Sequence, residues 1–310
     1  MSFPLGYLFS QTLPVTVQVY DQKFSINPSF VGTNDYSVVS LSSRKQWLGM
    51  PNSPLTVMAG ANFKLGNFDF YKPDGLLNKS GIRTRDRSGA GFLFYTDQAG
   101  FMRNSGINLS YAYHIPVKKN KLSVGLTFKL GQSHFQNEKL TPQQPNDPLV
   151  PEFTEVNYYL SSAFGIAYYR PYNFYAGLSI DNVLNIFQSI QKELTLPEYM
   201  SRIYYLVGGK YFHFNNSKAL EPFLMLSATE NYEIKSHLGL RYYYKKGSWI
   251  ALIEDDNFAS VQGNVGVLIR KISYCLGYSY YLTPVSKYQN GSVEFSIIAR
   301  FGDLTRIKLY

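Results

Sequence analysis

Few side chains of this chain have the types and the spacing that catalysis or metal binding requires. The histidines are His114, His134, His213 and His237. They lie far apart, and none has a second ligand at the spacing of a zinc site. The run Glu254–Asp256 supplies three consecutive carboxylates, which could bind Ca²⁺ or form the solvated tip of a loop. We favour the loop tip, so the sequence predicts no metal site and no cofactor.

Motifs of the common enzyme classes are missing as well. The sequence contains no GxSxG, no P-loop, no GxGxxG and no HExxH. A hydrolase could still assemble His with Ser or Asp across neighbouring strands, which spacing along the chain does not reveal. We interpret the histidines as residues without a catalytic role and predict that the protein is not an enzyme.

The composition narrows the class of protein. Of the 310 residues, 16% are charged and 16% are aromatic, which excludes a disordered chain because such chains are poor in aromatic residues. The lone Cys275 excludes a disulfide scaffold. No stretch approaches the ~18 consecutive apolar residues of a transmembrane helix. The mean hydropathy of −0.18 suits a soluble protein or a transmembrane β-barrel, because only alternate barrel residues face lipid.

The net charge of +9 results from 30 Lys and Arg residues against 21 Asp and Glu residues. An excess of this sign attracts nucleic acid, an anionic surface or an acidic partner. Nucleic-acid binding usually shows a basic cluster or a recognisable module. Here the basic residues occur singly or in pairs in short turns, so we predict no nucleic-acid partner.

From Tyr36 onward, alternating segments of about ten residues dominate the sequence. In Leu122–Gly131 the even positions are Leu, Val, Leu, Phe and Leu, whereas the odd positions are Ser, Gly, Thr, Lys and Gly. Such a strand has one apolar face and one small or polar face. Fourteen segments of this kind can be counted, at 36–45, 54–65, 88–97, 104–115, 121–134, 156–169, 173–182, 202–213, 219–229, 233–244, 248–254, 258–269, 272–282 and 291–301. Their length and their even number predict a closed antiparallel transmembrane β-barrel of about 14 strands.

The connections between these segments support the barrel. Every second connection is short, except 66–87, whereas the alternate ones include the long 135–155 and 183–201. Short periplasmic turns and long outer loops are typical of outer-membrane barrels. The alternative is a large soluble β-sandwich with a Tyr-rich surface. We predict four parts: a signal-peptide remnant or disordered start (1–10), an N-terminal plug or periplasmic segment (11–35), the barrel (36–301) and a periplasmic tail (302–310).

One segment before the first strand carries a resemblance to a known family. Phe24–Gly32 reads FSINPSFVG, and it is followed by Arg44, the pair Gln46-Trp47 and Pro54. This arrangement resembles the PorP/SprF family of type IX secretion membrane proteins. The match extends through Gly89–Gly91, Asp97–Gly100, Tyr111–Ile115, Leu122–Gly131 and Gly291–Phe301. The segment 66–87 and the extension 302–310 depart from the family pattern.

The resemblance implies a protein of the outer membrane of Bacteroidota that works in type IX secretion and gliding motility. It implies two kinds of partner, a large secreted surface adhesin and the periplasmic ring lipoproteins, besides outer-membrane lipid. It brings no catalytic residues. The candidate partner-binding residues are those of the motif: Asn27, Pro28, Gly32, Arg44, Gln46 and Trp47. The alternatives are a lid that only seals the lumen, for the first three, and an interfacial anchor, for Arg44 and Trp47.

A basic rim is the second candidate surface. Turn parity assigns the following residues to the periplasmic end: Lys118, Lys119, Lys245, Lys246, Arg270 and Lys271. Such a rim could attract an acidic partner or contact lipid headgroups. A different function, transport of hydrophobic solutes as in fatty-acid barrels, would need a continuous apolar path. The Ser, Gly, Asn, Thr and Lys of the inward faces suit protein contacts or water better.

Overall fold

The computed structural model describes residues 22–34, 36–65, 87–135, 155–189, 201–215, 218–245 and 247–301. The strand segments within these ranges are β1 (Ser37–Lys45), β2 (Leu55–Lys64), β3 (Ser88–Ala99), β4 (Met102–Val117), β5 (Asn120–Phe135), β6 (Glu155–Arg170), β7 (Phe174–Asp181), β8 (Asn185–Ser189), β9 (Ile203–Lys210), β10 (Phe212–Asn215), β11 (Lys218–Thr229), β12 (Ile234–Lys245), β13 (Ser248–Asp255), β14 (Ser260–Ile269), β15 (Ile272–Tyr281) and β16 (Ser292–Phe301). The 3₁₀ turns Lys23–Ser25 and Pro28–Phe30 precede β1, and Pro284–Lys287 precedes β16. None of the helices in the described ranges is long and apolar enough to cross a membrane.

Hydrogen bonds close the strand segments into a ring. All the pairings are antiparallel, and β1 pairs with β16 in a register that places Val39 opposite Ala299 and Leu41 opposite Ile297. β8 continues β7 along β6, and β10 continues β9 along β11. In the described part of the chain the segments therefore form fourteen strands. The predicted all-β fold, a closed antiparallel barrel of 14 strands, is confirmed, and the pairing of its first and last strands closes it.

The two faces of the wall differ as the alternation predicts. Leu109, Leu126 and Leu178 point outward and are 52%, 41% and 56% exposed. Thr127 and Ser179 point into the lumen and are buried. A monomer in water rarely exposes so continuous an apolar surface, whereas lipid covers it in a membrane. The buried core of this protein accordingly lies in the lumen and includes Phe24, Phe30, Val31, Leu93, Tyr175, Met225 and Trp249.

The ends of the barrel differ in their connections. Short turns at Lys118–Lys119, 171–173 and Arg270–Lys271 join strands at one end, which we call the short-turn end. Longer connections at 46–54 and 282–291 join strands at the other, which we call the long-loop end. Lys118, Tyr172 and Arg270 adopt left-handed backbone conformations with φ of 55°, 56° and 57°, which tight turns require. Bacterial outer-membrane barrels have their short turns on the periplasmic side.

Several sequence predictions fall on residues that the structure does not describe. These residues are 1–21, 66–86, 136–154, 190–200 and 302–310. They contain the predicted signal remnant, nearly all of the predicted insertion at 66–87, most of two predicted long connections and the predicted periplasmic tail. The bounds of these parts stay predictions.

The outward face of β5 generates a test of the membrane assignment. Leu126 lies near the middle of this strand, whereas the outward residue Val117 ends β4. Arg at the midplane should cost roughly 2–4 kcal/mol, but about 0–1 kcal/mol near the interface. We therefore expect Leu126→Arg to reduce stability far more than Val117→Arg. Urea unfolding in lipid vesicles, followed by heat-modifiable gel mobility, measures both. Equal losses would contradict a membrane midplane at Leu126.

Candidate functional site

The segment Gln22–Asn34 lies inside the barrel, and we call it the lumenal plug. Phe24, Phe30 and Val31 of the plug are buried, and Val31 is 0% exposed. Its 3₁₀ turn Pro28–Phe30 contacts β4, β5 and β6. The conformation has a local cause. Pro28 fixes the backbone at the start of this turn, where its missing N–H is not needed.

Asn27 links the plug to itself and to the wall. Its Oδ1 accepts hydrogen bonds from the backbone N–H of Ser29 at 3.0 Å and from Ser29 Oγ at 2.6 Å, so the side chain caps the turn. Its Nδ2 donates to the carbonyl oxygens of Leu178 at 3.0 Å and Ile166 at 3.4 Å. Because Asn27 is 0% exposed, the protein satisfies these polar groups without solvent. One buried amide thus fixes both the shape of the plug and its position.

Further hydrogen bonds attach the plug to several strands of the wall. Ser123 Oγ donates to the carbonyl oxygen of Ser29 at 2.7 Å. On another strand, Ser179 Oγ donates to the carbonyl oxygen of Ile26 at 3.0 Å. The backbone N–H of Gly32, whose φ is 69°, donates to Asn62 Oδ1 at 2.7 Å. The plug is therefore anchored to β2, β5 and β7 by neutral hydrogen bonds.

Wall glycines let the plug approach the strands closely. A Cβ atom on Gly125 of β5 would lie 2.3 Å from the carbonyl carbon of Pro28. At Gly165 of β6 it would lie 2.0 Å from Asn27 Oδ1. Both distances are far below van der Waals contact, so neither position accepts a side chain while the plug keeps its place. The shapes of the wall and the plug are therefore complementary at these glycines.

The other three motif residues lie at the long-loop end. Arg44 faces the lumen, is 2% exposed, and its Nη2 lies 3.5 Å from Asp255 Oδ2. His237 Nδ1 lies 2.5 Å from the second oxygen of the same carboxylate. Gln46 and Trp47 are half-buried in the connection after β1, where the backbone N–H of Gln46 donates to the carbonyl oxygen of Pro54 at 2.9 Å. The motif residues thus form two separate groups, one in the plug and one at the long-loop end.

The predicted basic rim is partly described. Lys118 and Lys119 are exposed in the turn between β4 and β5, and Arg270 and Lys271 are exposed in the turn between β14 and β15. Both turns lie at the short-turn end, as turn parity predicts. Lys246 and the side chain of Lys245 lie outside what the structure describes. A role for these residues in binding stays a prediction.

The three consecutive carboxylates of Glu254–Asp256, which were considered as a metal site, have separate partners. Glu254 accepts a hydrogen bond from the backbone N–H of Leu238 at 3.1 Å, and Asp256 lies 3.6 Å from Lys235 Nζ. With Asp255 bound to Arg44, the three consecutive carboxylates do not converge on one ion. Among the residues described, no group of His, Cys, Asp and Glu side chains is arranged to hold a metal ion.

Wall residues that hold the plug were not predicted as site residues. They include Asn62, Ser123, Gly125, Gly165 and Ser179. The available signal was the presence of small or polar residues at successive inward positions of β5, β6 and β7. That signal marks the lumen face but does not say what covers it.

Comparison with models of protein families identifies the family of this chain. The model of the family described as "Type IX secretion system membrane protein PorP/SprF" matches residues 8–299, which is nearly the whole chain. The chain belongs to the PorP/SprF family. Together with the closed barrel, this makes it a β-barrel of the outer membrane, of a family of type IX secretion membrane proteins. A comparison with curated protein sequences gives no significant match.

Solved barrels resemble this PorP/SprF protein in fold. The toluene transporter TbuX from Ralstonia pickettii aligns with 11% identity and a TM-score of 0.50, over 89% of this chain and 92% of that chain. Omp33 from Acinetobacter baumannii aligns with 8% identity and a TM-score of 0.46, over 86% and 98%. A FadL homologue from Pseudomonas aeruginosa aligns with 10% identity and a TM-score of 0.42, over 89% and 92%. At these identities the likeness concerns the fold alone.

Substitution of a wall glycine tests how the plug is held. We expect Gly165→Ala to displace the plug, because its Cβ would overlap Asn27. In a Cys275→Ala background, Val31→Cys reports on the plug through its rate of labelling by a membrane-impermeant maleimide. Gly165→Ala should raise this rate by about tenfold or more, which corresponds to ~1.4 kcal/mol of local opening.

Gly263→Ala is the matched control, because a Cβ at Gly263 would have no atom within 4 Å. This change should leave the labelling rate of Val31→Cys unaltered. If both alanine variants label at the same rate, contact with the wall glycine does not hold the plug.

Proposed function

We propose that this protein is a non-enzymatic component of the type IX secretion and gliding machinery. Its short-turn end faces the periplasm and docks the periplasmic ring lipoproteins, and the barrel scaffolds the export or surface attachment of a large secreted adhesin. Membership of the PorP/SprF family supports a role with this machinery. The observation that carries the proposal is the plug, which is buried in the lumen and hydrogen-bonded to β5 and β7 of the wall.

A barrel with this plug offers its two ends, rather than its interior, to other proteins. Asn27, Pro28 and Gly32 are buried, so we assign them to the plug, which shapes the barrel for its partners from within. Gln46 and Trp47 are half-buried at the long-loop end, and we propose that they contact an adhesin on the cell surface. At the short-turn end, exposed Lys and Arg residues favour encounter with an acidic periplasmic partner.

Transport of hydrophobic solutes is less well supported by the lumen. An apolar solute needs a pathway lined mostly by apolar side chains. The buried side chains here include many polar and charged ones, among them Arg44, Glu221, His237, Gln262 and Glu294. Gln262 Nε2 donates to Glu294 Oε2 at 3.1 Å, which adds a polar contact between inward faces. The interior therefore suits a protein plug better than a hydrocarbon.

Affinity purification tests the scaffold proposal directly. The tagged protein is purified from detergent-solubilised outer membranes, and the associated proteins are identified by mass spectrometry. We expect a large secreted surface protein and periplasmic lipoproteins of the secretion machinery, both depleted when an unrelated outer-membrane barrel carries the tag. Recovery of neither class from a folded barrel would overturn the proposal.

Charge-reversal variants test whether the short-turn end, rather than the long-loop end, docks the lipoproteins. We expect the double variant Lys119→Glu/Lys271→Glu, at the short-turn end, to reduce recovery of the lipoproteins several-fold. The double variant Arg103→Glu/Lys287→Glu is the matched control, because it changes the net charge equally at exposed residues of the long-loop end. Exposed charges are screened within ~8 Å at physiological ionic strength, so the difference should shrink as salt is added. Equal recovery with both variants at low salt would exclude the basic rim as the docking surface.

A further inference from the structure

Two basic residues lie on the outer surface of the wall at the short-turn end. Arg170 is the last residue of β6 and Lys210 is the last residue of β9, and both are exposed. Tyr169 and Val207 on the same strands are buried, so alternation along each strand turns the two basic side chains away from the lumen. Phe174 of β7 lies between them, because it pairs with both. We call these three residues the outer basic row.

The outer basic row lies among aromatic rings of the same surface. The centres of the Tyr168 and Phe174 rings are 5.6 Å apart, and Lys210 Nζ lies 5.0 Å from the centre of the Phe212 ring. Tyr168 and Phe212 are 39% and 45% exposed. Outward aromatic residues near strand ends are typical of the level at which a barrel wall leaves the hydrocarbon. The two basic residues therefore lie at the level of lipid phosphates.

The positive charge of the outer basic row is not neutralised within the part of the chain that the structure describes. There, neither Arg170 nor Lys210 forms an ion pair with a carboxylate. The connections that border the row, at 118–119, 171–173 and 216–217, contain no Asp or Glu. Two strand spacings of ~4.8 Å separate the two basic residues, so their long side chains can reach one anionic group placed over Phe174.

A shallow groove extends from the outer basic row toward the middle of the wall. Ala176 of β7 and Gly208 of β9 pair with each other there, and both lie on the outward face. Tyr168 on β6 and Leu224 on β11 flank this small pair. A Cβ on Gly208 would have its nearest neighbouring atom at 3.6 Å, so there is room above the backbone. A groove with larger side chains on both sides suits an acyl chain.

We propose that the outer basic row and this groove bind one anionic phospholipid of the periplasmic leaflet. Its phosphate accepts charge-assisted hydrogen bonds from Arg170 and Lys210, and one acyl chain lies over Ala176 and Gly208. A zwitterionic headgroup would bring an ammonium group close to two cations, so the charge favours phosphatidylglycerol over phosphatidylethanolamine. The inference goes beyond the proposed function, from which it takes only the periplasmic orientation of the short-turn end.

Lipid binding to the purified, folded protein tests the inference. The probes are phosphatidylglycerol and phosphatidylethanolamine with identical acyl chains, each titrated in detergent and measured by native mass spectrometry. We expect phosphatidylglycerol to bind at least about fivefold more tightly, because its headgroup carries a net negative charge and no ammonium group. Equal binding of the two lipids would overturn the inference.

Charge-removing variants locate the phosphate. Arg170→Gln/Lys210→Gln should weaken binding of phosphatidylglycerol by about tenfold or more, because both phosphate contacts are charge-assisted. Arg103→Gln/Lys287→Gln is the matched control, since it removes one Arg and one Lys from exposed positions at the long-loop end. This control should leave the affinity unaltered. Heat-modifiable gel mobility checks that each variant is folded, and Lys210→Gln replaces the first double variant if that one is not. Equal affinities of the two variants would overturn the inference.

Filling the groove tests the acyl chain separately. Gly208→Leu should weaken binding of phosphatidylglycerol at least about threefold, because the leucine side chain would occupy the place of the acyl chain. Gly263→Leu is the control, since Gly263 is also an outward glycine and its Cβ would have no atom within 4 Å. If the two leucine variants bind the lipid equally well, the acyl chain does not lie over Gly208.

Further outcomes separate this inference from the proposed function. Glycerol 3-phosphate that displaces the lipid at the concentration of the lipid itself would reassign the outer basic row to soluble phosphates. If Arg170→Gln/Lys210→Gln reduces recovery of lipoproteins in the affinity purification but leaves lipid binding unaltered, the row belongs to the protein docking surface instead. Loss of lipid binding in this variant involves no protein partner, so it supports the inference even where the affinity purification recovers no partner.

Discussion

The structure depends first on the need to hydrogen-bond every backbone amide in an environment without water. In lipid, an open sheet edge would leave N–H and C=O groups unpaired, at a cost of several kcal/mol each. The pairing of β1 with β16 along Ser37–Lys45 removes that edge. Closure then determines where each side chain lies, because side chains on a closed sheet alternate between lipid and lumen. The strands turn most of their apolar residues outward, and the polar and small residues inside must pack with one another and with the aromatic and apolar core around the plug.

The lumen is therefore the interior of this protein, and it is packed in two ways. One side is occupied by the plug, which lies against the wall glycines and is held by hydrogen bonds from Asn62, Ser123 and Ser179. The other side is crossed by charged and amide side chains, such as Arg44 with Asp255. Both arrangements satisfy buried polar groups that would otherwise be costly. They differ in that the plug is a contiguous peptide, whereas the other contacts join separate strands.

The fold could be predicted from the sequence because the alternation of apolar and polar residues is visible within each short segment of the chain. Ten alternating residues such as those of Leu122–Gly131 suffice to define a strand and its outward face, and the turns follow from their residue types. The position of the plug could not be predicted in the same way. Asn27 contacts the carbonyl of Leu178, which is 151 residues away, and nothing in its neighbourhood in the sequence identifies that partner.

The same limit applies to the candidate sites. The motif identified Asn27, Pro28 and Gly32 as special, but only the three-dimensional arrangement shows that they are buried in contact with β2, β5, β6 and β7. A cavity at the short-turn end could not be predicted for a related reason. Lys23, Arg241 and Arg300 come from distant parts of the chain, and their common feature is a shared cavity rather than a shared motif.

The division of the lumen has a mechanical consequence for the barrel. A thin cylindrical wall resists flattening mainly through material that spans its bore. Arg44 of β1 reaches Asp255 of β13, four strands away around the wall, and that contact involves no atom of the plug. Lys129 likewise contacts Asp181 within the wall of β5 to β7, independently of Asn27. These two contacts brace their parts of the wall through side chains of the barrel itself, so the shape of the cylinder there does not rest on the plug alone.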